Sequence, residues 1–214
     1  MARIRYALVV GALLMTATPT TATADPVGSA GQDGLVDVRD VVPDALIDLR
    51  YATPDNFLGV RMYPVGARCL VHESLAPGLA AAAESLRAHG NRLVFWDCYR
   101  PHAVQVRMFE AVPDPSWVAR PGNFARSHTA GRSVDVTLSD DTVRLLDMGT
   151  DFDEFSSRAT AFATDGVSWA AQANRARLRE AMAAGGFAVY AGEWWHFDGP
   201  GAQLQRPIID VPLI

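Results

Sequence analysis

The chain has 214 residues, with 24 acidic against 19 basic side chains and a formal charge of −5 at pH 7. An acidic balance argues against nucleic acid as a partner, since phosphate binding needs clustered cations. Every fixed cation is Arg and no Lys is present, so Lys-based Schiff-base and P-loop chemistry are excluded.

Arg3 and Arg5 precede an apolar run from Tyr6 to Met15, and Ala22-Thr23-Ala24 follows as a small-residue cleavage pattern. The run is too short to span a bilayer, so residues 1–24 read as a secretory signal peptide. No Cys stands directly after it, which argues against a lipid anchor. The expected product is exported, periplasmic or secreted, without a membrane anchor and with no protein partner implied. Cleavage leaves 190 residues carrying 17 basic and 24 acidic side chains, a formal charge of −7, enough for one domain with its own core.

Residues 25–34 are Gly/Ser/Ala-rich and read as a mobile leader to a domain over 35–214. Leu35 to Tyr51 alternates in places and predicts a strand or two around Pro43. Residues 53–66 are a Pro/Gly-punctuated loop. Ser74 to His89 predicts a helix: Ser74 can cap it, Leu75, Leu79, Ala82, Ala83 and Leu86 form an apolar stripe, and Gly90 ends it. Leu93 to Trp96 predicts a buried strand running into Asp97-Cys98-Tyr99-Arg100-Pro101, then a short helix from His102 to Val112. After a Pro-rich loop, Ser133 to Leu138 alternates as a strand with Asp135 on one face. A second long helix spans Ala170 to Ala184, and Phe187 to Tyr190 begins a last core strand. Strands and helices mix without regular βαβ alternation, which predicts α+β: a single domain with a central, mainly antiparallel sheet flanked by helices.

Cys69 and Cys98 make an even pair in an exported chain and read first as a disulfide, with two free buried thiols as the alternative. A bridge would brace the segment leading to Arg100.

Two distant stretches carry the chemistry. Ser127-His128-Thr129-Ala130-Gly131-Arg132-Ser133-Val134-Asp135 and Glu193-Trp194-Trp195-His196 offer two imidazoles and a carboxylate as metal ligands, with a spare carboxylate beside them. Three protein ligands leave one position of a tetrahedral Zn²⁺ open for water, as a catalytic zinc requires. A zinc there makes hydroxide available near neutral pH, and Glu193 is the candidate general base. The nitrogen-rich open set favours zinc, one per chain. His128 and Asp135 can meet only if the chain turns, which Gly131 permits. Glu193 and His196 would face opposite sides of a regular strand, so the backbone must bend after Gly192. Each stretch alone reads more readily as packing: a satisfied His, a surface Glu beside buried tryptophans.

Taken with Trp96-Asp97-Cys98-Tyr99-Arg100-Pro101, these stretches resemble the VanX-type D-alanyl-D-alanine dipeptidases. That family lies in the zinc D,D-peptidase superfamily with D,D-carboxypeptidases and the Hedgehog signalling domain. Tyr51-Ala52-Thr53-Pro54-Asp55-Asn56-Phe57, Met148-Gly149-Thr150-Asp151-Phe152-Asp153 and Asn174-Arg175-Ala176-Arg177-Leu178-Arg179 extend the likeness over nearly the whole mature chain. The resemblance implies that His128, Asp135 and His196 bind Zn²⁺, that Glu193 is the base and that Arg100 donates to the oxyanion. Arg100 could otherwise be a structural ion-pair partner of Asp97. It further implies that Asp153 pairs with the substrate's α-ammonium, with Tyr51 and Ser127 assisting and Tyr63 lining the same pocket. Arg126 stands where a small polar residue is expected. The implied function is hydrolysis of the D-alanyl-D-alanine dipeptide outside the cytoplasm. The alternatives are a D,D-carboxypeptidase or endopeptidase acting on peptidoglycan stems, or a non-catalytic zinc or wall-binding module.

Overall fold

A buried row of β-structure organises the molecule: the strand Ser133–Asp140 is covered along nearly its whole length and pairs with a neighbour on each side. The computed structural model describes Met1 and residues 33–214; apart from Met1, the expected signal peptide, and all but the end of the expected leader, lie outside the described residues. In chain order the strands are β1 (Leu35–Asp37), β2 (Leu46–Ile47), β3 (Leu70–His72), β4 (Asn91–Asp97), β5 (Ser133–Asp140), β6 (Ala188–Val189) and β7 (His196–Asp198). The helices are α1 (Val38–Val41), α2 (Ala76–Arg87), α3 (His102–Ala111) and α4 (Trp169–Ala184). Five strands form the main sheet in the order β2-β4-β5-β7-β6, with β2 parallel to β4 and every other pair antiparallel. β1 and β3 make a separate antiparallel pair. This is the α+β architecture expected.

α2 buries the anticipated stripe of Leu79, Ala82, Ala83 and Leu86. It begins later than expected, however, and Ser74 does not cap it. A 3-10 turn over Glu73–Leu75 comes first, and there the His72 side chain accepts from the Ser74 amide. The Ser74 hydroxyl instead accepts from Arg132 at 2.7 Å. α4 is capped by Ser168, whose Oγ accepts from the Ala171 amide at 3.1 Å, the usual device for a free first-turn N–H. Apolar side chains of the sheet and of α2 and α4 share one continuous core.

The segment from Phe187 corrects an expectation. It supplies only the two-residue β6 at the sheet edge, neither of whose residues is buried, while Phe187 itself packs into the core. Leu35 to Tyr51 does hold two strands, but they belong to different sheets.

Candidate active site

Register in the main sheet assembles the centre of the site. Asp135 on β5 is paired with Asp97 of β4 on one side and with His196 of β7 on the other. Directly opposed residues project from the same face, so three polar groups far apart in sequence form one row. The β4–β5 register shifts between Phe95 and Asp97. Glu193 reaches the same place because the chain turns before β7: its amide donates to Tyr190 O, and the Tyr190 amide donates to His196 O. The bend that the Glu193–His196 spacing demanded is therefore present.

His128 arrives from a 3-10 turn over Ser127–Ala130, closed by Gly131 at φ 63°. A Cβ on Gly131 would lie 2.6 Å from Leu35 Cδ2 and 3.2 Å from the His72 amide nitrogen, so both the left-handed backbone and the close approach call for glycine. The imidazole is fixed from behind by Cys98, whose carbonyl lies 2.8 Å from Nδ1. Cys98 is disulfide-bonded to Cys69, with Cα atoms 5.3 Å apart.

The three candidate ligand atoms form a nearly equilateral triangle. His128 Nε2 lies 3.2 Å from Asp135 Oδ1 and 3.1 Å from His196 Nδ1, and His196 Nδ1 lies 3.0 Å from Asp135 Oδ1. Among the described residues this is the one such group able to hold a metal ion. A carbonyl can only accept, so the His128 proton sits on Nδ1 and leaves Nε2 bare. On the far side of His196, Nε2 faces Asp198 Oδ1 at 3.0 Å. Burial raises the Asp198 carboxyl, but its bond with His196 leads the opposing contacts that hold it down to about 2. It therefore accepts from Nε2, and Nδ1 is the His196 nitrogen turned to the triangle.

Three lone pairs so close together call for a cation. Without a metal, a proton serves: burial opposes the charge on His196, yet Asp135 and Asp198 carry its pKa up to about 10. Burial likewise opposes ionisation of Asp135, but the two imidazoles hold it well below the usual carboxylate range. A tetrahedral zinc with bonds of roughly 2.0–2.1 Å separates its ligand atoms by about 3.3 Å. The donor set, the spacing and the hydrogen bonds behind each imidazole all fit zinc.

Around this triangle opens a cleft of about 350 Å³, lined by Tyr51, Arg100, Ser127, Asp153 and Glu193 among others. Glu193 Oε2 is 4.0 Å from His196 Nδ1. Burial pushes its carboxyl up to about 7, partly offset by His196 and supported by Asp135. Arg100 is the ion-pair partner of Asp97 that one reading of the sequence offered, and it also lines the cleft. Its Nε and Nη2 donate to Asp97 Oδ2 at 3.0 and 2.7 Å, while Nη2 also lies 4.0 Å from Asp135 Oδ2. Burial opposes its charge, but Asp97 and its neighbours hold the guanidinium firmly protonated.

Asp153 has a positive φ of 57° and accepts from the Tyr51 hydroxyl at 3.0 Å. Burial, together with the charge of Asp135, pushes its carboxyl well up. The loop bearing it is pinned by Arg175, which donates to Met148 O, Arg158 O and Thr160 O, and by Trp194 Nε1 donating to Thr150 at 2.7 Å. Ser127 stands at the cleft, and its hydroxyl donates to Ser133. Tyr63, expected to line the pocket, does not: it is buried behind, donating to Asp97 Oδ1 at 2.6 Å. It supports Asp97, and through it Arg100. Arg126 lines the cleft with its guanidinium 5.7 Å from the Phe124 ring.

Two participants went unread in the sequence. Asp198 shares a strand face with His196 by period-2 alternation, a signal that could have found it. Gln105, which receives Arg100 Nη1 at 2.8 Å, carried no comparable signal.

Comparison with known proteins identifies the family. The peptidase M15 family described as D-ala-D-ala dipeptidase matches residues 31–214. The D-alanyl-D-alanine dipeptidase of Escherichia coli K12 is 39% identical over 168 residues, covering 78% of this chain and 86% of that protein. The enzyme of the same name from Enterococcus faecium is 33% identical over 164 residues, covering 65% and 77%. Among solved structures, the LD-carboxypeptidase LdcB aligns with a TM-score of 0.48 at 17% identity, over 83% of this chain and 72% of that one. The chain belongs to the peptidase M15 family of D-alanyl-D-alanine dipeptidases.

Proposed function

We propose that the protein is a zinc-dependent dipeptidase that splits D-alanyl-D-alanine into two D-alanines outside the cytoplasm. The observation that carries this reading is the triangle of His128, Asp135 and His196 ligand atoms, 3.0–3.2 Å apart at a cleft that also holds Glu193 and Arg100. A zinc ion held by these three residues would supply Lewis-acid polarisation of the scissile carbonyl and activation of a water. The remaining chemistry belongs to the chain's own side chains.

Glu193 takes the proton of the attacking water and returns it to the leaving amine. A carboxyl raised to about 7 is matched to both transfers at neutral pH. Arg100 keeps donors free after binding Asp97 and Gln105. Aimed where negative charge develops on the carbonyl oxygen, they stabilise the tetrahedral transition state over the ground state. Asp153, with Tyr51 behind it, receives the α-ammonium of the dipeptide. A buried carboxylate is satisfied by a free ammonium, but an N-acylated substrate would leave it unpaired at a cost of several kcal/mol. This favours the dipeptide over longer peptides.

The shared name of the Escherichia coli and Enterococcus faecium relatives supports the substrate. Export is supported by the Arg3–Ala24 pattern and by the Cys69–Cys98 bond, since such bonds persist in oxidising compartments. Outside the cytoplasm the enzyme would scavenge or turn over wall-derived dipeptide. The test is release of D-alanine from D-alanyl-D-alanine and from its N-acetyl form, before and after chelation. Zinc-restorable cleavage of the free dipeptide alone is expected, and equal rates on both substrates would remove Asp153 from its role.

A further inference from the structure

Arg100 is held on two sides, and only one of its partners is a charge. Asp97, fully buried, takes Nε and Nη2. The other partner is the side-chain amide of Gln105, buried on α3, whose Oε1 accepts from Arg100 Nη1 at 2.8 Å. A guanidinium has five N–H donors; with three committed to Asp97 and Gln105, the remaining two are those left for a substrate oxygen.

The opposite end of the same amide is also committed. Gln105 Nε2 donates to Ala119 O at 2.7 Å, in the Pro-rich segment that walls the cleft between α3 and the His128 turn. Two residues earlier on that wall, Trp117 stacks on Phe155 with ring centroids 4.9 Å apart and an interplanar angle of 26°. Phe155 follows Asp153 by two positions. One buried amide thus joins the arginine to a wall that crosses the cleft and meets the loop carrying Asp153. A solvated glutamine would exchange such contacts freely, but a buried one with both ends bonded holds a single orientation.

We propose that Gln105 is a positioning residue: it aims the Arg100 guanidinium and ties that aim to the Trp117 wall, so that seating the wall and completing the oxyanion site are one event. This rests on the role given to Arg100 above. The side chain does not touch the reacting atoms and acts through Arg100 and Ala119.

The test uses the full zinc-loaded protein with Gln105→Leu and Gln105→Glu, each alone and combined with Arg100→Ala, and reads kcat and KM on D-alanyl-D-alanine together with Tm and zinc content. Leucine removes both hydrogen bonds and should lower kcat by about tenfold or more with little change in KM, as expected for a contact realised in the transition state. Glutamate keeps the acceptor for Arg100 and loses the donor to Ala119, so it should retain kcat to within about threefold and raise KM. In the Arg100→Ala background, leucine should change kcat by less than about twofold, because groups acting as a unit are not additive. An equal loss from leucine with and without Arg100, or a kcat for glutamate as low as for leucine, would overturn the proposal. Should leucine fail to fold, the glutamate pair decides alone through its kcat–KM split. Full activity in Arg100→Ala by itself would instead overturn the role of Arg100.

Discussion

The carbonyl of Cys98 accepts the Nδ1 proton of His128 at 2.8 Å, while the sulfur of the same residue is bonded to Cys69. One residue thereby links the covalent framework to the tautomer of a candidate ligand. Replacing both cysteines with Ser should lower stability by about 3–4 kcal/mol on the chain-entropy account. It should also weaken zinc binding by roughly tenfold through the loosened carbonyl. Denaturant midpoints and chelator competition check the two effects separately, and a stability loss with unchanged zinc affinity would uncouple them.

The role proposed for Asp153 would be held at the expense of stability. Burial pushes its carboxyl well above the ordinary value. An acid whose pKa is raised on folding destabilises the native state as pH climbs through the unfolded value near about 3.9. Asp153→Asn should therefore raise Tm at pH 8, with the gain fading as pH falls to about 3, below the unfolded pKa, where the acid is protonated in both states. The same variant should raise KM for the free dipeptide and narrow its advantage over the N-acetyl form. Thermal scans at pH 8 and at about pH 3, with paired kinetics, test this.

As the proposed general base, Glu193 should set the acid side of the pH profile. Its carboxyl is raised to about 7 by burial, and a general base works only when deprotonated. kcat/KM should accordingly fall as pH drops through 7 or, with a cation seated beside it, somewhat below. Glu193→Gln should lower kcat by about 10²–10⁴, abolish that limb and leave zinc content unchanged. A variant with normal zinc and normal kcat would remove Glu193 from the reaction.

Much of the architecture was legible where periodicity is strong. The stripe on α2, the buried run in β4 and the long α4 stood close to their predicted places. Short elements were not. β3 has three residues and β6 two, too few for a period to register, and both exist because neighbouring strands pair with them. The helix start moved past Ser74 because the imidazole of His72 took the capping contact, a choice made by tertiary position and not by cap preference. His128, Asp135 and His196 could be named as a set through the family's motifs, whereas spacing alone left each compatible with packing. Register between β5 and β7 brings Asp135 and His196 together, and His128 joins them from its 3-10 turn, which no linear pattern states. Tyr63 was misplaced for the same reason: proximity to the cleft in a looser loop did not reveal that its hydroxyl turns inward to Asp97.

The most direct measurement is zinc stoichiometry by native mass spectrometry on the wild type, Glu193→Gln and His196→Ala, with D-alanyl-D-alanine hydrolysis assayed on the same samples. The expected result is one zinc per chain in the first two, activity in the wild type alone, and loss of both zinc and activity in His196→Ala. Full hydrolysis by a His196→Ala protein without zinc would contradict the metal centre on which the account rests.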